Sequence, residues 1–351
     1  MLNVRNRREA TYLEQALRTA MEERDKEIKE ALGGESHNGS LLYEPWTVRT
    51  GKGDPYKVFT PFWRKARMAE PVRPSGAISR LTFANLVRDV GSVDSLKLAP
   101  RIRWDLGLED MWTPGESGAR IALRAFLQKT AGRYKETRDV PGVVGTSRLS
   151  PHLHFGELSP HRIWWEHVEV GPSPEQQDTF LNELGWREFA HHVLHYFPRT
   201  VTEPMNARFK QFPWRRSARD EKAWCKGLTG FPIVDAGMRE LWATGWMHNR
   251  VRMIVASFFV KHLGLDWRHG MRWFWDTLVD ADLAANTMGW QWSAGCGADA
   301  APYFRVFNPI LQGKKFDADG AYVRRWIPEL AGISDRFLHE PWKSPEKAER
   351  Y

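Results

Sequence analysis

From about residue 114 almost to the end, apolar residues recur with the spacing of helix faces, and Gly or Pro breaks the pattern at Gly132, Pro151, Pro160, Pro198, Pro232, Gly245, Gly264 and Gly289. A pattern sustained this long predicts a mostly α domain of about 240 residues, near the upper limit of ordinary domain size. Upstream the text differs. A charged helix, Glu22–Leu32, stops at Gly33-Gly34, and a short strand-like run follows at Leu41–Tyr43. One helix and one or two strands cannot close a core, because an open sheet needs several paired strands with both faces covered. Between these parts, Pro71, Pro74, Gly76, Gly91, Pro100, Gly107 and Pro114 punctuate an irregular stretch. The expected division is an incomplete α/β part at 1–70, a connector at 71–113 and a helical domain at 114–351.

Composition narrows the function classes. The chain carries 51 Lys and Arg against 43 Asp and Glu, a formal charge of +8, which suits a polyanionic partner without requiring one. Eighteen Trp is a large number for 351 residues and calls for stacking, redox work or heavy packing. Only Cys225 and Cys296 occur, without metal-ligand spacing, so no disulfide framework, zinc site or iron–sulfur site is expected. The first residues lack an apolar signal core, and the longest apolar run, Ile254–Val260, ends at Lys261, far short of a membrane span. A soluble cytoplasmic protein without membrane partner or metal is the expectation.

Four stretches could carry chemistry. In TSRLSP, and again at Ser159-Pro160, Ser precedes Pro as at a helix start, and amides, hydroxyls and Arg148 there could hold a phosphate. For a lone Ser-Pro plain capping is the better explanation by far, and two such starts beside an Arg shift the balance only modestly toward an anion site. A helix over Asp178–Phe197 would bury Leu184, Phe189, Val193 and Phe197 and set Phe180, Glu183, Trp186 and Arg187 on another face. That face could bind a flat polar ligand, or it could hold only a solvated Glu183–Arg187 pair. In GWMHNRVRM, Asn249, Arg252 and Met253 share a helix face, and a buried Arg252 would need an anion, for which Asp280 is a candidate. DADLAANTMGWQW then gathers Asp280, Asp282, Asn286, Trp290 and Trp292 within thirteen residues. A helical turn ending near Gly289 would aim Asp282 and Asn286 at one target, with both Trp following on non-helical backbone. Ordinary core packing has a slight edge for this stretch taken alone.

Together, TSRLSPHLHFGELS, FLNELGWREF, KGLTGFPIVDAGMREL, GWMHNRVRM, DLAANTMGWQW and DAAPYFRVFNP resemble the DNA photolyase and cryptochrome family over about residues 36–342. The likeness is greatest to class I cyclobutane pyrimidine dimer photolyases. It implies an all-helical FAD-binding domain preceded by a doubly wound α/β domain, of which this chain would hold only a remnant. It also implies FAD as cofactor, damaged DNA as partner, and light-driven repair by electron transfer from reduced flavin to a flipped-out lesion.

Residue by residue, the resemblance assigns Tyr134, Thr146, Ser147, Arg148, Leu149 and Ser150 to FAD, with hydroxyls and amides on the diphosphate. Asn249, Arg252, Asp280, Asp282 and Asn286 would surround the isoalloxazine and its neighbours, Asn286 near N5. Asn there neither competes for a proton nor adds charge. Glu183 would bond the lesion bases; Trp186, Met253 and Trp292 would pack at the lesion; Arg187, Arg250 and Arg305 would serve it or its phosphates. Trp290, Trp267 and Trp214 fall where the family keeps an electron-transfer chain. The (6-4) photolyases carry His at the positions of Asn249 and Met253, so cyclobutane dimers are the expected lesion.

The chain departs from the family at its ends. It would begin near the antenna domain's fourth strand, with a charged insertion at Glu9–Met21, and Ala20 and Met21 stand where some members hold a folate antenna. No second chromophore is expected, and a monomer is. The alternatives are a cryptochrome-type blue-light receptor without repair activity and a degenerate DNA-binding remnant.

Overall fold

The computed structural model describes residues 23–345 except 36, 77–79, 81–90, 99, 101, 301 and 303. The insertion at Glu9–Met21, with Ala20 and Met21, lies outside the described residues. The chain divides into two compact units, Met1–Gly39 and Ser40–Tyr351. In the first, helix α1 spans 23–32 and ends at Gly33, whose φ of 60° is the left-handed stop that glycine permits.

The second unit is built from helices α2 (Phe59–Ala66), α3 (Leu106–Met111), α4 (Gly115–Lys129), α5 (Tyr134–Thr137), α6 (Ser150–His154), α7 (Pro160–Val170), α8 (Pro174–Tyr196), α9 (Ala218–Cys225), α10 (Pro232–Thr244), α11 (Asn249–Ser257), α12 (Trp267–Thr277), α13 (Leu283–Ala294), α14 (Pro309–Phe316) and α15 (Ala321–Trp326). Among the described residues the sole strand-type pairing is one bridge between Arg215 and Leu265. The mainly α expectation therefore holds.

The strand-like run at Leu41–Tyr43 is not a strand. The amides of Leu42 and Tyr43, which a sheet would have taken, donate to the buried Glu188 carboxylate of α8 at 2.9 and 3.2 Å. This anchors residues 40–66 on α8, so the stretch upstream of Pro71 shares a core with the helices that follow it.

Two apolar cores organise the second unit. One gathers Trp224, Val234, Val251, Ile254, Phe259, Trp267 and Trp290 from α9 to α13, with Tyr322 and Val323 of α15. The other gathers Phe59, Phe62 and Trp63 of α2 with Leu123, Phe126, Ile163, Phe180 and Phe189 from α4, α7 and α8. Helices α8 and α13 pack against each other. Side chains shared between the cores leave a cavity, and sequence order explains the helix ends around it. Ser159 caps α7 by accepting from the His161 amide at 3.2 Å, as its Ser-Pro signal predicts. Ser150 instead opens α6 as its first residue, with Leu149 at the cap position.

Helix α13 corrects a second expectation. Asp282 is its N-cap, accepting from the Ala285 amide at 2.7 Å, and the helix runs on through Gly289, Trp290 and Trp292 to Gly295. The stretch is thus the body of a helix, and Gly289 is interior to it. Gly295, with φ 85°, supplies the left-handed stop one turn and a half later.

Candidate ligand cavity

The cavity has a volume of about 560 Å³. Tyr134, Thr146, Ser147, Arg148, Leu149 and Ser150 line it from the α5–α6 side; Glu183, Trp186 and Arg187 from α8; Asn249, Arg250, Arg252 and Met253 from α11; and Asp280, Asp282, Asn286, Trp290 and Trp292 from α13 and its approach. Residues that lie more than a hundred positions apart thus face one space. Trp214, Trp267 and Arg305 do not line it.

At one end, Arg148 has a left-handed backbone, φ 53°, an uncommon state for a residue with a side chain. Its guanidinium lies over the Trp246 ring, 4.8 Å from the centroid, and burial lowers its pKa from the usual value. The turn that this backbone makes brings Thr146, Ser147 and Ser150 to the cavity beside the first amides of α6. Hydroxyls, amides and a nearby cation form a cradle of the kind that holds phosphate oxygens.

Opposite, Arg252 donates to both oxygens of Asp280 at 2.8 and 3.1 Å and through Nε to the Met247 carbonyl at 2.7 Å. The Asp280 side chain is 2% exposed and Arg252 is half-buried, so the pair supplies the counter-charge that the buried carboxylate requires. Asp282 receives His191 Nε2 at 3.3 Å on Oδ2. Burial pushes the Asp282 pKa up, but the bonds from His191 and the Ala285 amide outweigh it and bring it to about 2. Asn286 donates to the Met271 carbonyl at 3.0 Å, which fixes its amide plane at the cavity wall. Trp290 is 2% exposed, packed against Phe274, Phe259 and Trp224 at 5.1, 5.8 and 6.0 Å, and its indole N–H has no acceptor among the described residues.

The α8 side carries the remaining polar groups. The Glu183–Arg187 pair at i, i+4 does not form. Glu183 accepts from Arg138 at 2.5 Å, while Arg187 donates to the Ser40 carbonyl at 2.5 Å and lies 3.6 Å from Glu188. Arg250 makes two bonds to Asp139, at 3.2 and 2.7 Å, and its Nη1 is 3.9 Å from the Met253 sulfur. Phe180 belongs to the second core, at 3% exposure, as well as to the cavity wall. Trp186 stacks on Phe59 at 3.8 Å with 10° between planes, and Trp292 is 6.3 Å from Phe307.

The residues outside the cavity are also placed. Trp267 is 1% exposed at the start of α12 in the first core, and Trp214 packs against that core beside Phe212 at 4.3 Å. Arg305 lies on an exposed loop over Phe307, 5.4 Å from its centroid.

Three residues escaped the sequence reading. Arg138 follows Tyr134 by four on the same short helical face, and its neighbour Asp139 holds Arg250; that spacing was a usable signal. His191 follows Glu183 and Arg187 at steps of four along α8, so the same periodicity pointed to it.

Known proteins are similar to this chain in sequence and fold. The profile described as FAD binding domain of DNA photolyase matches residues 180–351, and the one described as DNA photolyase matches residues 5–76. A deoxyribodipyrimidine photo-lyase of Agrobacterium fabrum is 47% identical over 92% of this chain and 70% of its own length. Cryptochrome-2 of Arabidopsis thaliana is 38% identical over 92% of this chain and 55% of its own. The crystal structure of a bacterial class III photolyase from Agrobacterium tumefaciens superposes with TM-score 0.87 at 46% identity, covering 92% of this chain and 69% of that one. A class III relative does not match the class I leaning of the sequence. The stretches that carry those motifs lie within matches to a photo-lyase and a cryptochrome alike, each covering 92% of this chain, so they identify a family and not a class.

Proposed function

The chain belongs to the DNA photolyase and cryptochrome family, and from that premise we propose that it repairs cyclobutane pyrimidine dimers in DNA with light, using FAD held in the cavity. Curated relatives at 44–47% identity over most of the chain carry the name deoxyribodipyrimidine photo-lyase. The observation that carries the reading is that one cavity holds both a phosphate cradle with planar-ligand partners and a separate set of aromatic and charged groups on α8 and α11.

The residues present fit FAD. Thr146, Ser147, Ser150 and the amides after left-handed Arg148 would take the diphosphate, with Tyr134 and Leu149 alongside. Asn249, the Arg252–Asp280 pair, Asp282 and Asn286 would bond the edges of the isoalloxazine and its ribityl or adenine neighbours. Gly289 lines the same wall and leaves room for a ring, since a Cβ built there meets nothing within 4 Å. Bound FAD supplies a light-driven electron for opening the dimer.

The protein's own contribution is positioning and charge. Glu183, fixed by Arg138, is set to hydrogen-bond the dimer's bases, and the ring faces of Trp186 and Trp292, with Met253, are apolar surfaces for a flipped-out lesion. Photolyases as a group extrude the base they act on, so extrusion is a property of the family and not a deduction from this cavity. Arg187, Arg250 and exposed Arg305 supply sequence-independent phosphate affinity, which the net charge of +8 favours. Trp290, Trp267 and Trp214, all in or against one core, are the route by which the flavin would be photoreduced.

On the same reading the protein acts as a cytoplasmic monomer without metal, FAD is its single chromophore, and residues 1–70, 71–113 and 114–351 are antenna remnant, connector and catalytic domain by descent, with residues 40–66 of the remnant packed into the core of the catalytic helices. No helix among the described residues is long and apolar enough to cross a membrane.

The test is repair of dimer-containing oligonucleotides under blue light by flavin-loaded protein, wild type and Glu183→Ala. Wild type is expected to restore the bases, and the variant to repair less while keeping its flavin. Flavin retention without light-dependent repair by wild type would replace this reading with that of a signalling receptor. Loss of flavin in the variant would show that Glu183 belongs to the cofactor's end of the cavity.

A further inference from the structure

His191 lies behind the cavity wall on α8, one turn beyond Arg187, and no role in the reaction has been given to it. Its two ring nitrogens face different groups. Nδ1 is 3.0 Å from the Arg187 carbonyl oxygen, which only accepts, so Nδ1 carries a hydrogen. Nε2 is 3.3 Å from Asp282 Oδ2, an ion-pair distance, and Asp282, whose pKa is held down to about 2, is a carboxylate that only accepts. A neutral imidazole has one N–H and satisfies only one of these contacts; the imidazolium satisfies both.

We propose that His191, held as an imidazolium between the Arg187 carbonyl and Asp282, positions and charge-balances Asp282 at the cavity wall, so that retention of a flavin nucleotide there depends on pH. This rests on the proposed placement of FAD against Asp282. The charged groups around His191 are Asp282 at the start of α13 and Arg187 and Glu188 on its own helix. Burial and Arg187 oppose the ring's positive charge, yet the bond and attraction to Asp282 raise its pKa above the ordinary histidine value.

When the ring loses its proton, Nε2 presents a lone pair to the Asp282 carboxylate. Asp282 keeps its capping bond but loses its donor, and an uncompensated negative charge then stands beside a ligand that brings a diphosphate of its own. Affinity for FAD should therefore fall as pH rises through the ring's titration. Below that point the contact is intact, and the depressed pKa of Asp282 keeps its carboxylate charged down to about pH 2.

The experiment titrates apoprotein with FAD by flavin fluorescence at several pH values between about 6.5 and about 9, for wild type, His191→Gln and Asp282→Asn, and follows the His191 ring by NMR in wild type. Wild type should bind about tenfold more weakly at the upper end. The Gln variant can still donate one bond but carries no proton to lose, so its Kd should be flat across the range and weaker than wild type at the lower end. A flat wild-type profile, or a Gln variant that keeps the slope, overturns the proposal. Should the Gln variant not fold, a wild-type ring titrating at or below the ordinary histidine value overturns it equally. Asp282→Asn separates the two layers: unchanged FAD affinity removes Asp282 from the flavin site, whereas weakened affinity together with a slope that survives in His191→Gln refutes the His191 role alone.

Discussion

Gly289→Ala is expected to make the apoprotein more stable and the flavin complex weaker, and the two effects can be sized separately. Gly289 is interior to α13, where glycine costs about 0.8–1 kcal/mol relative to alanine through backbone entropy. Its φ is not in the left-handed range, and a Cβ built there meets no atom within 4 Å, so alanine fits the apoprotein without strain. The gain should reach about 0.5–1 kcal/mol, roughly 1–1.5 °C in unfolding midpoint for a domain of this size.

The open space is the cavity itself. A methyl projecting into it meets any ring lying against the α13 wall, and overpacking of that kind costs about 1–3 kcal/mol, or roughly five- to 150-fold in Kd. Thermal unfolding of apoprotein and fluorescence titration with FAD measure the two quantities. Unchanged FAD affinity would refute the placement of the isoalloxazine against this wall, and a lowered apo midpoint would refute the reading of Gly289 as unstrained helix. Gly270→Ala is the contrasting case: its Cβ would lie 2.1 Å from Trp290 Cη2, so it should destabilise the apoprotein by displacing that ring.

Three further outcomes follow from the same geometry. Burial raises the Glu188 pKa from the usual carboxylate value to about 7, so the folded state binds a proton that the unfolded chain has released, and stability should fall by about 3 kcal/mol between about pH 4.5 and about 7; Glu188→Gln, which keeps an oxygen for the Leu42 and Tyr43 amides, should flatten that slope in urea melts. Asp280→Ala leaves the Arg252 guanidinium with only the Met247 carbonyl and should cost about 3 kcal/mol by the urea midpoint, with a loss below about 0.5 kcal/mol showing that solvent compensates the pair. Trp290→Phe should slow flavin photoreduction, followed by absorbance under blue light, yet spare repair by already reduced protein; loss of that repair would show that Trp290 acts on the lesion and not only in recharging the flavin.

Sequence by itself determined what local rules govern. Helical periodicity gave the mainly α domain, Ser159-Pro160 fixed the start of α7, and the chemical inventory of the cavity was readable because TSRLS, GWMHNRVRM and DADLAANTMGWQW each concentrate polar groups within a short stretch at a helix start. The demand that Arg252 find an anion even named Asp280 correctly, and it is Asp280 whose burial makes the pairing obligatory.

Where the local reading failed, two local rules competed or a distant partner intervened. Gly289 could stop a helix or sit within one, and the next glycine able to stop it, Gly295, was equally compatible with the pattern; packing of Trp290 against Phe274 and Phe259 favours the longer helix. Leu41–Tyr43 had strand composition, but its amides went to Glu188, which lies 145 residues away from Tyr43 and was invisible to any window. Glu183 and Arg187 were neighbours by period, and each found a stronger contact across the fold, Arg138 and the Ser40 carbonyl. Period places a side chain on a face, whereas the crossing of α8 with α13 and with the segment from Ser40 decides what that face meets. The contacts of His191 with the Arg187 carbonyl and Asp282 exist only because of that crossing.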